Sequence, residues 1–222
     1  MNAFHALIHL FHLLIRPLSW LLSTTQSPRS TRGGASFLML GESSLNNAST
    51  VEWALKSRGY PAPEFNGVSS GGGGYFQVGR LLIGGSGEGT NARAENDIHQ
   101  SAVGAGSGMA NVGWLLLERG GLRVYPLIGA GGSGTGMSVQ PKNRTSQGVS
   151  ITGGGANILA GVGVEFRLRI TKSFAPLIGV RIGVMLSTPT KWNGMGFDPS
   201  ELSESQRLAP YFRLMLGTGR MR

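Results

Sequence analysis

Between residues 156 and 187 the chain alternates with a period of two, and that period constrains the fold more than any other feature. In 156–170, Val162, Val164, Phe166, Leu168 and Ile170 alternate with Gly161, Gly163, Glu165, Arg167 and Arg169. In 175–187, Ile178, Val180, Ile182, Val184 and Leu186 alternate with Leu177, Gly179, Arg181, Gly183 and Met185. Phe212, Leu214 and Leu216 repeat the pattern against Tyr211, Arg213, Met215 and Gly217. Successive side chains of a strand point to opposite faces. Each segment therefore carries one aliphatic wall and one wall of Gly with Arg and Glu.

Turn signals place further strands around these. Residues 35–43 predict a first strand, and 71–78 and 81–89 flank Gly79-Arg80, a tight hairpin signal. Residues 107–119 and 122–139 flank Gly120-Gly121, while 156–170 and 175–187 flank Thr171-Lys172-Ser173-Phe174. Residues 209–219 close the series. The segment STVEWALKSRGYP predicts a short helix, capped by Asn46, Asn47 or Ser49 and stopped by Gly59-Tyr60-Pro61. Connections then alternate long and short, the long ones near 44–70, 90–106, 140–150 and 188–208. The expected fold is all-β: a closed antiparallel up-and-down barrel of about eight strands, the count at which side chains just fill the interior. Long loops on one end and short turns on the other are the habit of bacterial outer-membrane barrels. An even count puts both ends of the barrel on the short-turn side, which in that class faces the periplasm.

The two walls admit two opposite arrangements. A soluble lipocalin-like barrel turns its aliphatic wall inward, around an apolar small ligand. A membrane barrel turns it to lipid. Gly decides for the second, because it is a poor solvent-facing strand residue and a useful one in a narrow lumen. The expected lipid-facing belt is Val162, Val164, Phe166, Leu168, Ile178, Val180, Ile182 and Val184. The expected lumen cluster is Glu165, Arg167, Arg169, Arg181 and Arg213, with Glu88 or Gln77 as further members. Trp192 and Phe197, in the KWNGMGFDP segment, are expected as exposed loop contacts.

Composition agrees. Of 222 residues 37 are Gly and only 14% are charged, where soluble domains carry roughly 25%. No apolar run reaches the roughly 18 residues of a membrane helix, whereas a barrel needs only alternate residues to be apolar. The chain has no Cys, which excludes disulfides, thiol catalysis and Cys-ligated zinc. The net charge of +9 is spread along the chain without a basic block, so lipid is the expected partner and nucleic acid is not.

Residues 1–24 differ from the rest and read as a degenerate export signal, a membrane-associated amphipathic leader or a surface helix. His5, His9, His12 and Arg16 form one stripe of that helix. His5 and His9 at i, i+4 also have metal-pair spacing, with no carboxylate beside them. Residues 25–34 read as a linker and 35–222 as the barrel.

The Gly runs at 71–74, 84–89, 129–136 and 153–155 invite a phosphate-loop reading, but no helix follows any of them as a dinucleotide fingerprint requires. GSGTG at 132–136 falls in a strand, away from any nucleophile elbow. His99, beside Glu95 and Asp97, could serve as a base, yet no nucleophile–base pair stands out. No enzymatic activity, cofactor or metal is expected.

The segments LNNASTVEWALKSRGYP, GGGGYFQVGRLLIGGSGEG and NVGWLLLERGGLRVYPLIGAGG resemble a poorly characterised group of bacterial outer-membrane β-barrel proteins. The likeness covers roughly residues 37–190 and rests on Gly patterning. It implies an eight-stranded barrel with no known enzymatic role, and carries over no functional residue. The expected function is that of an outer-membrane barrel with a structural or interaction role through its long loops.

Overall fold

Alternating small, β-branched and aromatic residues favour extended backbone, and the chain builds itself almost entirely from it. The computed structural model describes residues 32–42, 48–64, 68–143, 148–168, 170–171, 174–195 and 207–221. The readings made for residues 1–31, for the caps at Asn46 and Asn47, and for Arg169 and Phe197 lie outside the described residues.

The elements run β1 (Arg32–Glu42), α1 (Ala48–Lys56), β2 (Val68–Val78), β3 (Leu81–Glu95), β4 (His99–Trp114), β5 (Leu117–Arg119), β6 (Leu122–Pro141), β7 (Val149–Arg167), β8 (Ala175–Ser187), β9 (Lys191–Met195) and β10 (Arg207–Met221). Eight of the strands form the ring β1-β2-β3-β4-β6-β7-β8-β10, each antiparallel to its neighbours. It closes where β1 pairs β10, with Phe37 opposite Gly217 and Met39 opposite Met215. The eight-stranded closed up-and-down barrel that the resemblance implied is present, with both ends of the ring on the short-turn side. Closure pairs the strand edges through the body of the ring.

Four features differ from expectation. The stretch near 90–106 is no long loop: β3 runs to Glu95, β4 starts at His99, and the two stay paired from Leu81–Trp114 to Glu95–Gln100. Only Asn96, Asp97 and Ile98 turn the chain, with the Asn96 side chain accepting from the amides of Ile98 at 3.0 Å and His99 at 2.7 Å. The connection expected near 140–150 lies between Pro141 and Val149, but β7 starts at Val149, ahead of the strand expected from 156. At the opposite end, Gly113 faces Leu127 but Leu117 faces Val124, so four steps on one strand meet three on the other. That one-residue bulge interrupts the expected 107–119 strand and buries Leu115. Finally, β1 starts at Arg32, inside the stretch expected as linker.

Because β4, β6 and β7 outrun β1 and β2, one side of the barrel rises as a lip, which β9 extends by pairing β7 where β8 has ended. The helix α1 lies against the inner face of this lip. Val51, Ala54 and Leu55 are buried among Val103, Met137, Val139, Ile151 and Trp192. The helix ends as expected: Gly59 takes φ +72°, Tyr60 N–H donates to Leu55 O and Gly59 N–H donates to Lys56 O, both at 3.0 Å. Below it a second cluster, with Phe37, Met39, Tyr75, Tyr125 and Met215 among its members, fills the ring. No described helix is long and apolar enough to cross a membrane.

Candidate functional site

Pleating carries alternate residues of every wall strand into the lumen, and the polar ones meet near the short turns. Glu165 of β7 is fully buried. Its Oε1 accepts from Arg123 Nη1 at 2.9 Å, from Arg167 Nε at 3.0 Å and from the Tyr75 hydroxyl. Its Oε2 accepts from the Tyr125 hydroxyl at 3.3 Å. Arg123 also donates to Gln77 Oε1 and reaches Glu118 at 3.5 Å, and Gln77 Nε2 donates to Gly79 O at 2.8 Å. The network thus ties four strands and a hairpin turn to one carboxylate. Two guanidiniums share that charge with phenol donors saturating its lone pairs, the condition under which a buried ion pair is tolerated.

One level higher, Arg213 of β10 binds both oxygens of Glu88 and lies 4.5 Å from the Tyr211 ring centroid. Between the two levels Arg181 of β8 stacks on Phe37, 4.7 Å from the ring centroid. The lumen is packed with side chains, and inner glycines provide the room. A Cβ at Gly219 would lie 2.7 Å from Arg167 Nη1, one at Gly41 would lie 2.6 Å from Arg213 Cδ, and one at Gly163 would overlap the Tyr125 ring.

The four described members of the expected cluster, Glu165, Arg167, Arg181 and Arg213, are all in the lumen and buried. They do not form one group: Glu165 and Arg167 belong to the lower network, Arg213 to the upper pair, and Arg181 stands between. Sequence reasoning missed Arg123. The signal was available, because in LRVYPL a period of two puts Arg123 and Tyr125 on the wall opposite Leu122, Val124 and Pro126.

The eight belt residues, Val162, Val164, Phe166, Leu168, Ile178, Val180, Ile182 and Val184, point away from the lumen. Leu38, Leu40, Phe76, Ile83, Val112, Ile128, Phe212 and Leu216 continue the wall round the ring. Phe76 is 77% exposed and Leu38 70%, with no protein layer over them among the described residues. Phe76, Trp114, Phe166 and Phe174 collect at the short-turn rim. Glycine is not confined to the lumen as expected: Gly72, Gly74, Gly85, Gly87, Gly106 and Gly108 face outward on β2, β3 and β4, because unbroken Gly runs feed both faces alike.

Trp192 is the clearest correction. It is no exposed loop contact but a strand residue of β9, 6% exposed, whose indole lies over Gly153, where a Cβ would sit 2.6 Å from Trp192 Cε3. The missing side chain at Gly153 leaves the space, and the α1 cluster supplies the rest of the pocket. His99 stands at the rim of the lip, edge-on to Tyr60 with ring centroids 5.0 Å apart. On the solvent side of α1, Lys56 pairs with Glu52 at 2.6 Å, and that hydrogen bond raises the pKa of its ammonium.

No family model matches the chain, and no curated protein matches it. Seven solved chains match in structure. Among them is Ail, the attachment invasion locus protein of Yersinia pestis, at 12% identity and a TM-score of 0.39, covering 87% of this chain and 97% of that one. The strand pairing above establishes the closed barrel on its own.

Proposed function

We propose that this chain is a bacterial outer-membrane barrel that spans the bilayer with its eight wall strands and acts without catalysis, as a structural or interaction protein presenting its lip and loops. The observation that carries this reading is the outer wall. Its apolar residues form a band while nearly every buried charge is inside. On β7 the outward positions from Ile158 to Leu168 are apolar throughout; 10 steps of about 3.4 Å at a tilt near 40° give a height of about 25 Å, the hydrocarbon band of such barrels. Above Ile158 the same face turns small and polar, through Ala156, Gly154, Thr152 and Ser150. The aromatic side chains at the short-turn rim fit a lipid interface.

A lipocalin-like container is disfavoured by the direction of the aliphatic wall and by a lumen filled with Arg, Tyr and Met. Membrane lipid is the partner this surface suits, and any protein partner meets the lip and loops. Cell fractionation with heat-modifiable gel migration tests the reading. The chain is expected in the outer-membrane fraction, migrating differently before and after boiling. Recovery in the soluble fraction sinks it.

A further inference from the structure

Among the described residues one buried guanidinium of the lumen has no carboxylate beside it. Four arginines, Arg123, Arg167, Arg181 and Arg213, are buried at 3% exposure or less. Glu165 serves Arg123 and Arg167, Glu118 adds a contact to Arg123 at the lower edge, and Glu88 serves Arg213. Arg181 has no carboxylate among the described residues. It stacks on Phe37, and its Nε and Nη1 meet no acceptor among the described residues.

Arginine stays protonated in proteins, so this charge cannot be relieved by losing a proton. A buried unpaired ion costs several kcal/mol. Beside Arg181 lies a cavity of about 10 Å³, lined by Tyr75, Asn111, Tyr125 and the backbone of Gly84 and Gly113. That is about the room one water-sized particle requires. A water there would complete hydrogen bonds but leave the charge standing. An anion completes both.

We propose that the lumen binds one small monovalent anion, of the size of chloride, against Arg181. The single unpaired guanidinium sets the valence, and the cavity excludes sulfate, phosphate and lipid headgroups by size. The site would lock the middle of the barrel between the lower network and the Arg213–Glu88 pair. It rests on the closed barrel alone, so it survives a failure of the membrane reading.

The test uses the full chain refolded in zwitterionic detergent, with thermal unfolding followed by tryptophan fluorescence. Sodium chloride and sodium bromide are compared with sodium gluconate at constant ionic strength. The halides are expected to raise the midpoint saturably, by roughly 5–10 °C at a hundred times the dissociation constant, and gluconate is not. Arg181→Met, which keeps the stem over Phe37 and removes the charge, is expected to lose the halide effect and keep the gel shift. Overlapping halide and gluconate curves in the unmodified chain mean that water alone occupies the cavity, and overturn the proposal. So does a halide effect that persists in Arg181→Met. If that variant does not fold, the halide-against-gluconate comparison decides by itself.

Discussion

Glu165 is the residue on which the lower lumen turns, since two guanidiniums and two phenols converge on it. Replacing it with Gln keeps the shape and removes the charge. Arg123 would keep its contact to Glu118 at the lumen's edge, whereas Arg167 would keep no carboxylate among the described residues. Removing one member of a buried pair costs about 3–5 kcal/mol, so Glu165→Gln is expected to lower stability in urea by that amount. Tryptophan fluorescence in detergent measures it. A loss below about 1 kcal/mol would mean that the network contributes no more than a surface pair. At this scale the sequence was partly legible. The alternation near 156–187 placed Glu165, Arg167 and Arg181 inside, because aliphatic and charged residues there differ sharply. The same alternation in LRVYPL is harder to read, because Pro126 interrupts the aliphatic wall and Arg123 is the one charge on the other. Glycine misled in the other direction: a residue without a side chain carries no face, so GGGG could not say which of its members look inward.

At the scale of elements, the hairpins with Gly at the turn were readable, since Gly79, Gly120 and Gly121 take positive φ as their turns require. The β3–β4 turn was not. Composition rich in Gly, Ala, Ser and Asn signals loop, yet these small side chains pair as strand when neighbours on both sides hold the register. The lip they build gives α1 its place, and neither the lip nor β9 was foreseen, because both depend on β6 and β7 outrunning β8. This makes α1 separable. Leu55 is fully buried against the lip while Trp53 is 58% exposed on the other side of the helix. Leu55→Ala is expected to cost about 2–5 kcal/mol of docking energy. Trypsin should then cut after Lys56 or Arg58 at least tenfold faster, since local opening sets cleavage. The barrel's gel shift should persist, and Trp53→Ala should change neither. Unchanged cleavage in Leu55→Ala would show that the helix does not depend on the lip.

The whole molecule is closed twice over, and by different chemistry at each end. Near the short turns the lumen is sealed by a charged network that water could in principle replace. At the loop end it is covered by an apolar cluster that water cannot enter without losing packed surface. Between them Phe37, Met39 and Met215 pack into the lumen. Two independent seals make a specific expectation about conduction. The chain in a planar bilayer should show no steady conductance, and undocking α1 with Leu55→Ala should not open it, because the Glu165 network remains. The double variant Leu55→Ala with Glu165→Gln removes the first seal and loosens the second, so brief openings, if any occur, belong to it alone. Single-channel recording distinguishes these cases. A steady current through the unmodified chain would contradict the filled lumen. A steady current through Leu55→Ala would locate the only effective seal at the helix and reduce the polar layer to a scaffold.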